Sequence, residues 1–287
     1  MKFLITGSQG QLGLAFQKIL IKKKISSILI DRKPLKKKNY FSIDISLPSN
    51  FPALEKIIKE NSVKYIINCA SYNLVDKAED NVDNAFITNF SAVKNLAKLS
   101  KKMSLSLVHY STDYIFDGET NSPYKTSDKP NPISIYGKSK LAGEKAIHKY
   151  LDSFFIIRTS WVFGEGENFV KKVIGWSKED QNLRISNNEF SSPTYANDLA
   201  KASLKLFQSK AFGTYNITNS PCSRYEWAKF ILQKIGYKGK IKKVEKEVFN
   251  LSAQRPAFSV LDNTKFEQIC GYRMPTWQNA TKRYLLT

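Results

Sequence analysis

The middle of the sequence carries the residues best suited to chemistry. They are the hydroxyls of Ser111 and Thr112, the carboxyl of Asp113, and the run Tyr136-Gly137-Lys138-Ser139-Lys140. On a helix, Tyr136 and Lys140 sit one turn apart on the same face. A free tyrosine titrates near ~10 and is a poor acid–base group at neutral pH. A lysine ammonium one turn away favours the phenolate and lowers that value toward the working range. Thr112 or Ser111 could hold a substrate oxygen beside the phenol. A tyrosine and a lysine at this spacing also occur on ordinary surface helices, so the motif draws its weight from its surroundings.

Two elements must position these groups. Leu105 to Tyr110 alternate and end in Ser-Thr, as in a strand delivering hydroxyls at its carboxyl end. Pro130 and Pro132 keep the following loop extended and prevent an early helix start. Lys140, Leu141, Glu144 and Ile147 then follow helical spacing. His109 fills a strand position and His148 a helix surface, with no metal-ligand partner at useful spacing. No protein metal site is expected.

A second motif stands near the N-terminus. Lys2 to Thr6 form a short apolar strand that runs into Gly7-Ser8-Gln9-Gly10-Gln11-Leu12-Gly13, and Leu14 to Lys22 read as a helix. Glycines three apart between strand and helix give a tight turn, close backbone approach to a pyrophosphate, and close helix–strand packing. Dinucleotide binding is expected here, with Gly7, Gly10, Gln11, Leu12 and Gly13 at the cofactor. A second strand, Ser27 to Ile30, ends at Asp31, close to the ~20-residue offset of a ribose-reading acid. Asp31 favours NAD, whereas Arg32 and Lys33 could pair a 2′-phosphate and favour NADP. Ser42 to Ile45 read as another strand end, which places Asp44 and Ile45 at the adenine.

The alternation continues. Leu54 to Glu60 read as a helix and Val63 to Asn68 as a buried strand, followed by small residues at Ala70, Ser71 and Tyr72 beside the cofactor. Asp83 to Lys101 read as one long amphipathic helix containing Asn89. The expected fold is α/β, a doubly wound parallel Rossmann-type sheet with a smaller C-terminal substrate-binding lobe. Residues 1–163 would form the NAD(P)-binding domain. Residues 164–287 would be mainly lobe, with some segments returning to the sheet. After the strand Phe154 to Thr159, helices are expected at Asn168 onward, over Ala196 to Phe207 and over Arg224 to Ile235. Arg255, fixed by Pro256, could fork onto a diphosphate, and Trp161 could stack on a sugar or base.

Composition narrows the class. The chain has 287 residues, 42% hydrophobic and 13% aromatic, enough for a folded core. No apolar run approaches the ~20 residues of a membrane helix, and the apolar start is too short for a signal peptide. Cys69, Cys222 and Cys270 are far apart and form no CxxC, so neither a disulfide framework nor zinc is implied, and a reducing cytoplasm fits. Only seven of the 45 basic residues behind the +20 charge are arginine, and the lysines are scattered, which suits a solvated surface better than a nucleic-acid interface. Such a field also attracts small anions.

The motifs together resemble the dTDP-4-dehydrorhamnose reductase family of extended short-chain dehydrogenases. The resemblance rests on GSQGQLG (7–13), VDKAED (75–80), STDYIFDG (111–118), YGKSK (136–140), RTSWVFG (158–164), NFV (168–170), PTYANDLA (193–200) and RP (255–256). It implies that Thr112, Tyr136 and Lys140 form a catalytic trio. NADPH (or NADH) would be the cofactor, and a dTDP-linked 4-keto-6-deoxyhexose the substrate, reduced for polysaccharide synthesis. It also implies cofactor contacts at Gly10, Gln11, Leu12, Asp31, Asp44 and Ala70 to Tyr72, and substrate contacts at Asp113 and Trp161, with Asn168 in its matching motif. Members of the family can dimerise through magnesium held by a glutamate of the first helix. Leu14-Ala15-Phe16 offers none, so that site is not carried over, while a homodimer stays open. The family's Asp-Gln before Gly-x-Pro-Thr is replaced here by Asn188-Glu189 and then Ser191-Ser192-Pro193-Thr194. An epimerase or reductase for another nucleotide deoxysugar is therefore an alternative. Regulatory subunits of methionine adenosyltransferase resemble the same group and give a non-catalytic one.

Overall fold

The computed structural model describes residues 2–287. Its first half alternates strand and helix: β1 (Phe3–Thr6), α1 (Gln11–Lys22), β2 (Ser27–Asp31), β3 (Tyr40–Ser42), α2 (Phe51–Glu60) and β4 (Tyr65–Asn68). Next come α3 (Val75–Asp80), α4 (Val82–Phe86), a π-helical turn (Ile87–Ser91), α5 (Ala92–Lys102), β5 (Ser106–Thr112), α6 (Ile135–Tyr150) and β6 (Phe154–Thr159). The second half holds β7 (Val162–Phe163), α7 (Phe169–Glu179), β8 (Asn182–Ser186), β9 (Phe190–Ser191), β10 (Thr194–Tyr195), α8 (Ala196–Ser209) and β11 (Gly213–Asn216). It closes with β12 (Cys222–Ser223), α9 (Arg224–Lys234), β13 (Lys240–Val244), α10 (Thr264–Cys270) and α11 (Trp277–Leu285).

Seven strands make one sheet in the order β11-β6-β5-β4-β1-β2-β3, and every neighbour pairs in parallel. Both faces are covered, as an all-parallel sheet requires. Alternate residues of one strand feed opposite cores: Phe3 and Ile5 pack with Phe16 and Phe207 of α1 and α8, whereas Leu4 packs with Leu54, Leu96 and Ile147 of α2, α5 and α6. Fully burying such a side chain is worth about 1.5–3 kcal/mol. The doubly wound expectation is borne out.

The second half divides its chain between two bodies. α8 packs its Leu199, Leu206 and Phe207 in the sheet core, and β11 extends the sheet beside β6. α10 adds Phe266 to that sheet core, whereas α7, β8, α9 and α11 build a separate core around Trp227, with Phe163, Val173, Ile185 and Trp277. Its small ladders pair β7 with β10, β9 with β12, and β8 with β13.

Three local expectations are corrected. The first helix starts at Gln11, not Leu14, because Gly10 already serves as its N-cap. The expected strand end at Ser42 to Ile45 stops at Ser42, with Ile43 donating its N–H to the Asp31 carbonyl (2.8 Å). The long helix from Asp83 is interrupted by the π turn, which carries Asn89 toward the cofactor side.

Candidate active site

A cleft of about 800 Å³ opens at the carboxyl ends of β1, β2, β4, β5 and β6. Gly7 turns the chain out of β1 with φ +60°, and a Cβ there would lie 2.5 Å from the Ala70 nitrogen. Gly10 caps α1 without a side-chain bond, and no acid occupies the first turn. The helix start, with Gly10, Gln11 and Leu12 lining the cleft, thus offers unpaired N–H groups and a positive dipole end to an anion. Gly13 lies within that first turn, where a Cβ would meet the Gly7 carbonyl oxygen at 2.4 Å. It serves packing and does not line the cleft.

Asp31 accepts the Gln9 N–H at Oδ2 (2.9 Å) and the Lys33 N–H at Oδ1 (3.3 Å), which ties the glycine loop to the end of β2. Arg32 and Lys33 line the cleft beside it, as do Asp44 and Ile45. Asp44 accepts the Ser46 N–H (2.9 Å). On the opposite wall, Asn89 clamps the loop after β4. Its Oδ1 accepts from the Ser71 hydroxyl (3.0 Å) and the Tyr72 N–H (2.9 Å), and its Nδ2 donates to the Tyr72 carbonyl (2.9 Å) and Ser139 Oγ (3.0 Å). The oxygens Gln11 Oε1, Ser111 Oγ and Thr159 Oγ1 are buried without partners on the cleft-lining residues. Most buried polar atoms in proteins are paired, so this cluster of unpaired oxygens fits a polar dinucleotide.

β5 runs through Ser111 and Thr112, as expected, and delivers the Thr112 hydroxyl to the cleft. Thr112 Oγ1 donates to Asp113 Oδ1 (3.1 Å) and accepts the Tyr114 N–H (3.2 Å). α6 brings Tyr136 against it. Ser134 caps the helix by accepting the Gly137 N–H (3.2 Å). A Cβ on Gly137 would lie 2.1 Å from the Tyr114 carbonyl oxygen, so only glycine lets this turn press against the end of β5. Burial pushes the Tyr136 phenol up to about 12; the Thr112 hydroxyl pulls it back, and the Asp113 charge raises it.

Lys140 is 2% exposed. Its Nζ donates to the Tyr110 carbonyl (2.5 Å) and faces His109 Nε2 at 3.3 Å. Burial lowers it to about 8, and Glu144, one turn on, holds it up. This corrects the expected electrostatics: burial dominates the phenol, and the lysine's hydrogen bonds go to β5 and not to Tyr136. His109 is buried and driven well below its ordinary value by burial and by Lys140. Its Nδ1 lies 3.0 Å from Asn68 Nδ2, and Asn68 Oδ1 accepts from the Thr6 hydroxyl (2.6 Å). A chain of polar groups therefore runs beneath the cleft from Thr6 to Lys140.

The lobe supplies the other wall. Asp113 Oδ2 accepts from Ser259 (2.5 Å) and Ser191 (2.9 Å), and burial raises its carboxyl to about 6 against these three hydroxyl donors. Trp161 adopts φ +40° at the end of β6 and lines the cleft. One of its ring faces carries the Arg224 guanidinium, with Cζ 3.5 Å from the centroid, so that face is not free for a sugar or base. Arg255 reaches the cleft, but its Nη1 and Nη2 donate to the two oxygens of Asp76 (3.0 and 2.6 Å). Asn168, expected among the substrate contacts, lies outside the cleft lining. It caps α7 by accepting the Lys171 N–H (3.2 Å), and its Nδ2 donates to the Gly164 carbonyl (2.7 Å) and the Tyr284 hydroxyl (2.9 Å). Among the described residues, no three His, Cys, Asp or Glu side chains converge as a metal site.

Sequence reasoning missed Arg224, the serines on Asp113 and the Asp76 partner of Arg255, all long-range pairings without a local signal. Asn89 had one, a polar residue on the buried side of an amphipathic helix.

The model of the RmlD substrate binding domain family matches residues 1–287. The chain belongs to that family. It is 35% identical over 286 residues to the spore coat polysaccharide biosynthesis protein SpsK of Bacillus subtilis, covering 99% of this chain and 96% of that protein. Among solved structures, a dTDP-4-dehydrorhamnose reductase from Clostridium acetobutylicum superposes with a TM-score of 0.92 at 36% identity, over 99% of this chain and 98% of that one. The Bacillus anthracis dTDP-4-dehydrorhamnose reductase in complex with NADP gives 0.91 at 33%, over 99% and 98%. The resemblance that the motifs carried is thus borne out across the whole RmlD-type chain.

Proposed function

We infer that the chain is an NADPH-dependent reductase. It would convert the C4 ketone of dTDP-4-dehydro-L-rhamnose to the alcohol of dTDP-L-rhamnose, a precursor of cell-surface polysaccharide. The observation that carries this reading is the meeting of Thr112, Tyr136 and Lys140 at the carboxyl end of β5, in one cleft with the glycine cradle of α1. These three are the catalytic trio. The bound nicotinamide would supply the hydride.

Thr112 turns its O–H from Asp113 to the ketone oxygen and holds it in place, and Tyr136 gives its phenolic proton to that oxygen as negative charge develops there. With a value of about 12 the phenol stays protonated at neutral pH. It remains a stronger acid than the alcohol it forms, so the transfer runs in the required direction. The Lys140 ammonium adds a fixed positive charge beneath the site, already oriented by the Tyr110 carbonyl. Donors in place before the reaction lower the barrier most.

Arg32 and Lys33 support NADPH over NADH, because the neighbouring Asp31 already accepts two backbone N–H groups. No step of this reading uses Mg²⁺. The substrate partner is a nucleotide sugar. Among the described residues no helix is long and apolar enough to cross a membrane. The free thiols fit a cytoplasmic enzyme, and sedimentation velocity would test the homodimer that the family allows.

The test is NADPH consumption with dTDP-4-dehydro-L-rhamnose. Tyr136→Phe is expected to lower kcat by about 10²–10⁴-fold while NADPH still binds. A wild type that binds NADPH but turns nothing over would move the assignment to another nucleotide deoxysugar or to the regulatory-subunit reading.

A further inference from the structure

Two guanidinium groups reach the lobe side of the cleft, and their surroundings differ. Arg255 already has an acid partner. Its fork donates to both Asp76 oxygens, its Nη1 also donates to the Ala253 carbonyl (3.0 Å), and Asp76 accepts the Ala253 N–H (3.2 Å). Its side chain is 14% exposed. This arrangement straps the loop before Pro256 onto α3. A phosphate would therefore meet Arg255 with its charge already balanced by Asp76 and its two Nη groups already donating.

Arg224 has no such partner. Among the described residues, no acid lies within ion-pair distance of it and no acceptor is hydrogen-bonded to its side chain, yet it lines the cleft. Its guanidinium lies over the Trp161 ring (3.5 Å) and near Phe169 (4.7 Å). Stacking covers the face of the cation and leaves its in-plane N–H edge free to donate. The support is rigid at both ends. Ser223 and Glu226 form a capping box at the start of α9, and the Arg224 N–H donates to the Glu189 carbonyl (3.0 Å). Trp161 is held by its carbonyl, which accepts the Thr194 N–H (3.3 Å), and by a parallel Trp227 ring at 6.0 Å. Of the acids nearby, Asp113 is held by three hydroxyls and Asp76 by Arg255, and among the described residues the buried Glu189 makes no ion pair with Arg224.

We propose that Arg224, stacked on Trp161, is the residue that receives the diphosphate of the nucleotide-sugar substrate, and that Arg255 shapes the cleft through Asp76 instead. The assignment rests on the nucleotide-sugar reading above. It makes Arg224 a specificity-determining residue, because an edge-on fork takes paired phosphoryl oxygens that an uncharged sugar does not offer.

Calorimetric titration with dTDP alone, without sugar or turnover, tests it. Charged hydrogen bonds of about 1.5–3 kcal/mol correspond to roughly 10–150-fold in affinity. Arg224→Gln is expected to weaken dTDP by that factor, with dTMP affected less and NADPH binding unchanged as the check on folding. Arg224→Lys should recover part of the loss, since it restores charge without the fork. KM for the nucleotide sugar should rise with the dTDP loss while kcat changes less than about threefold. Arg255→Gln should weaken dTDP less than Arg224→Gln. If wild type binds dTDP and Arg224→Gln binds it within twofold, or Arg255→Gln loses more, the assignment is overturned. If wild type itself does not bind dTDP, the nucleotide-sugar reading fails and takes this assignment with it.

Discussion

Single residues in this cleft are tuned mainly by burial. Asp113 carries the clearest consequence. Its carboxyl is raised from 3.8 to about 6, so in that interval the folded protein holds a proton that the unfolded chain has released. Stability therefore falls as pH rises from about 4 to about 6, and the loss is complete above that window. Asp113→Asn removes the titration. In thermal melts, the stability of wild type relative to Asp113→Asn should drop across this window and then level off. A difference constant with pH would dismiss the buried-carboxyl account. The same physics explains why Tyr136 is not lowered by Lys140: dehydration of the phenol outweighs a cation whose bonds point to the Tyr110 carbonyl.

At the scale of elements, the π turn between α4 and α5 matters most. It carries Asn89, whose side chain joins the cofactor-side loop at Ser71 and Tyr72 to Ser139 on the catalytic helix. α6 approaches closely enough there that a Cβ on Gly143 would lie 2.3 Å from the Asn89 carbonyl oxygen. Asn89→Ala leaves the half-buried Tyr72 N–H and C=O without their side-chain partner, at a cost of about 1 kcal/mol. We expect a lower urea midpoint together with a KM for NADPH raised several-fold, because loop and helix lose their common anchor. An unchanged KM alongside reduced stability would confine Asn89 to folding. The amphipathic pattern made this segment legible as a helix, but it carries no mark of the π turn, which is a shift of hydrogen-bond partner within one continuous helix.

Across the whole molecule, α6 and β6 are joined by a buried ion pair, Arg158 to Glu144 at 2.8 Å, with side-chain exposures of 6% and 2%. Arg158 also donates to the Thr126 carbonyl (3.2 Å), which ties in the loop before α6. Removing one partner leaves a buried charge, so Arg158→Met should cost about 3–5 kcal/mol, whereas the double change with Glu144→Met should be milder. Denaturant melts of both variants check this, and equal losses would show that the pair itself is not the source. By itself, the sequence determined the parallel sheet, the glycine cradle and the Tyr136 helix, because hydrophobic period, glycine spacing and helical spacing are local properties of a chain. Tertiary structure alone decided that Arg255 belongs to Asp76, that Arg224 lies on Trp161, and that Ser191 and Ser259 hold Asp113. Each joins a polar group to a partner dozens of residues away or across the cleft wall, and such pairings follow from packing geometry, which leaves no periodic trace in the sequence.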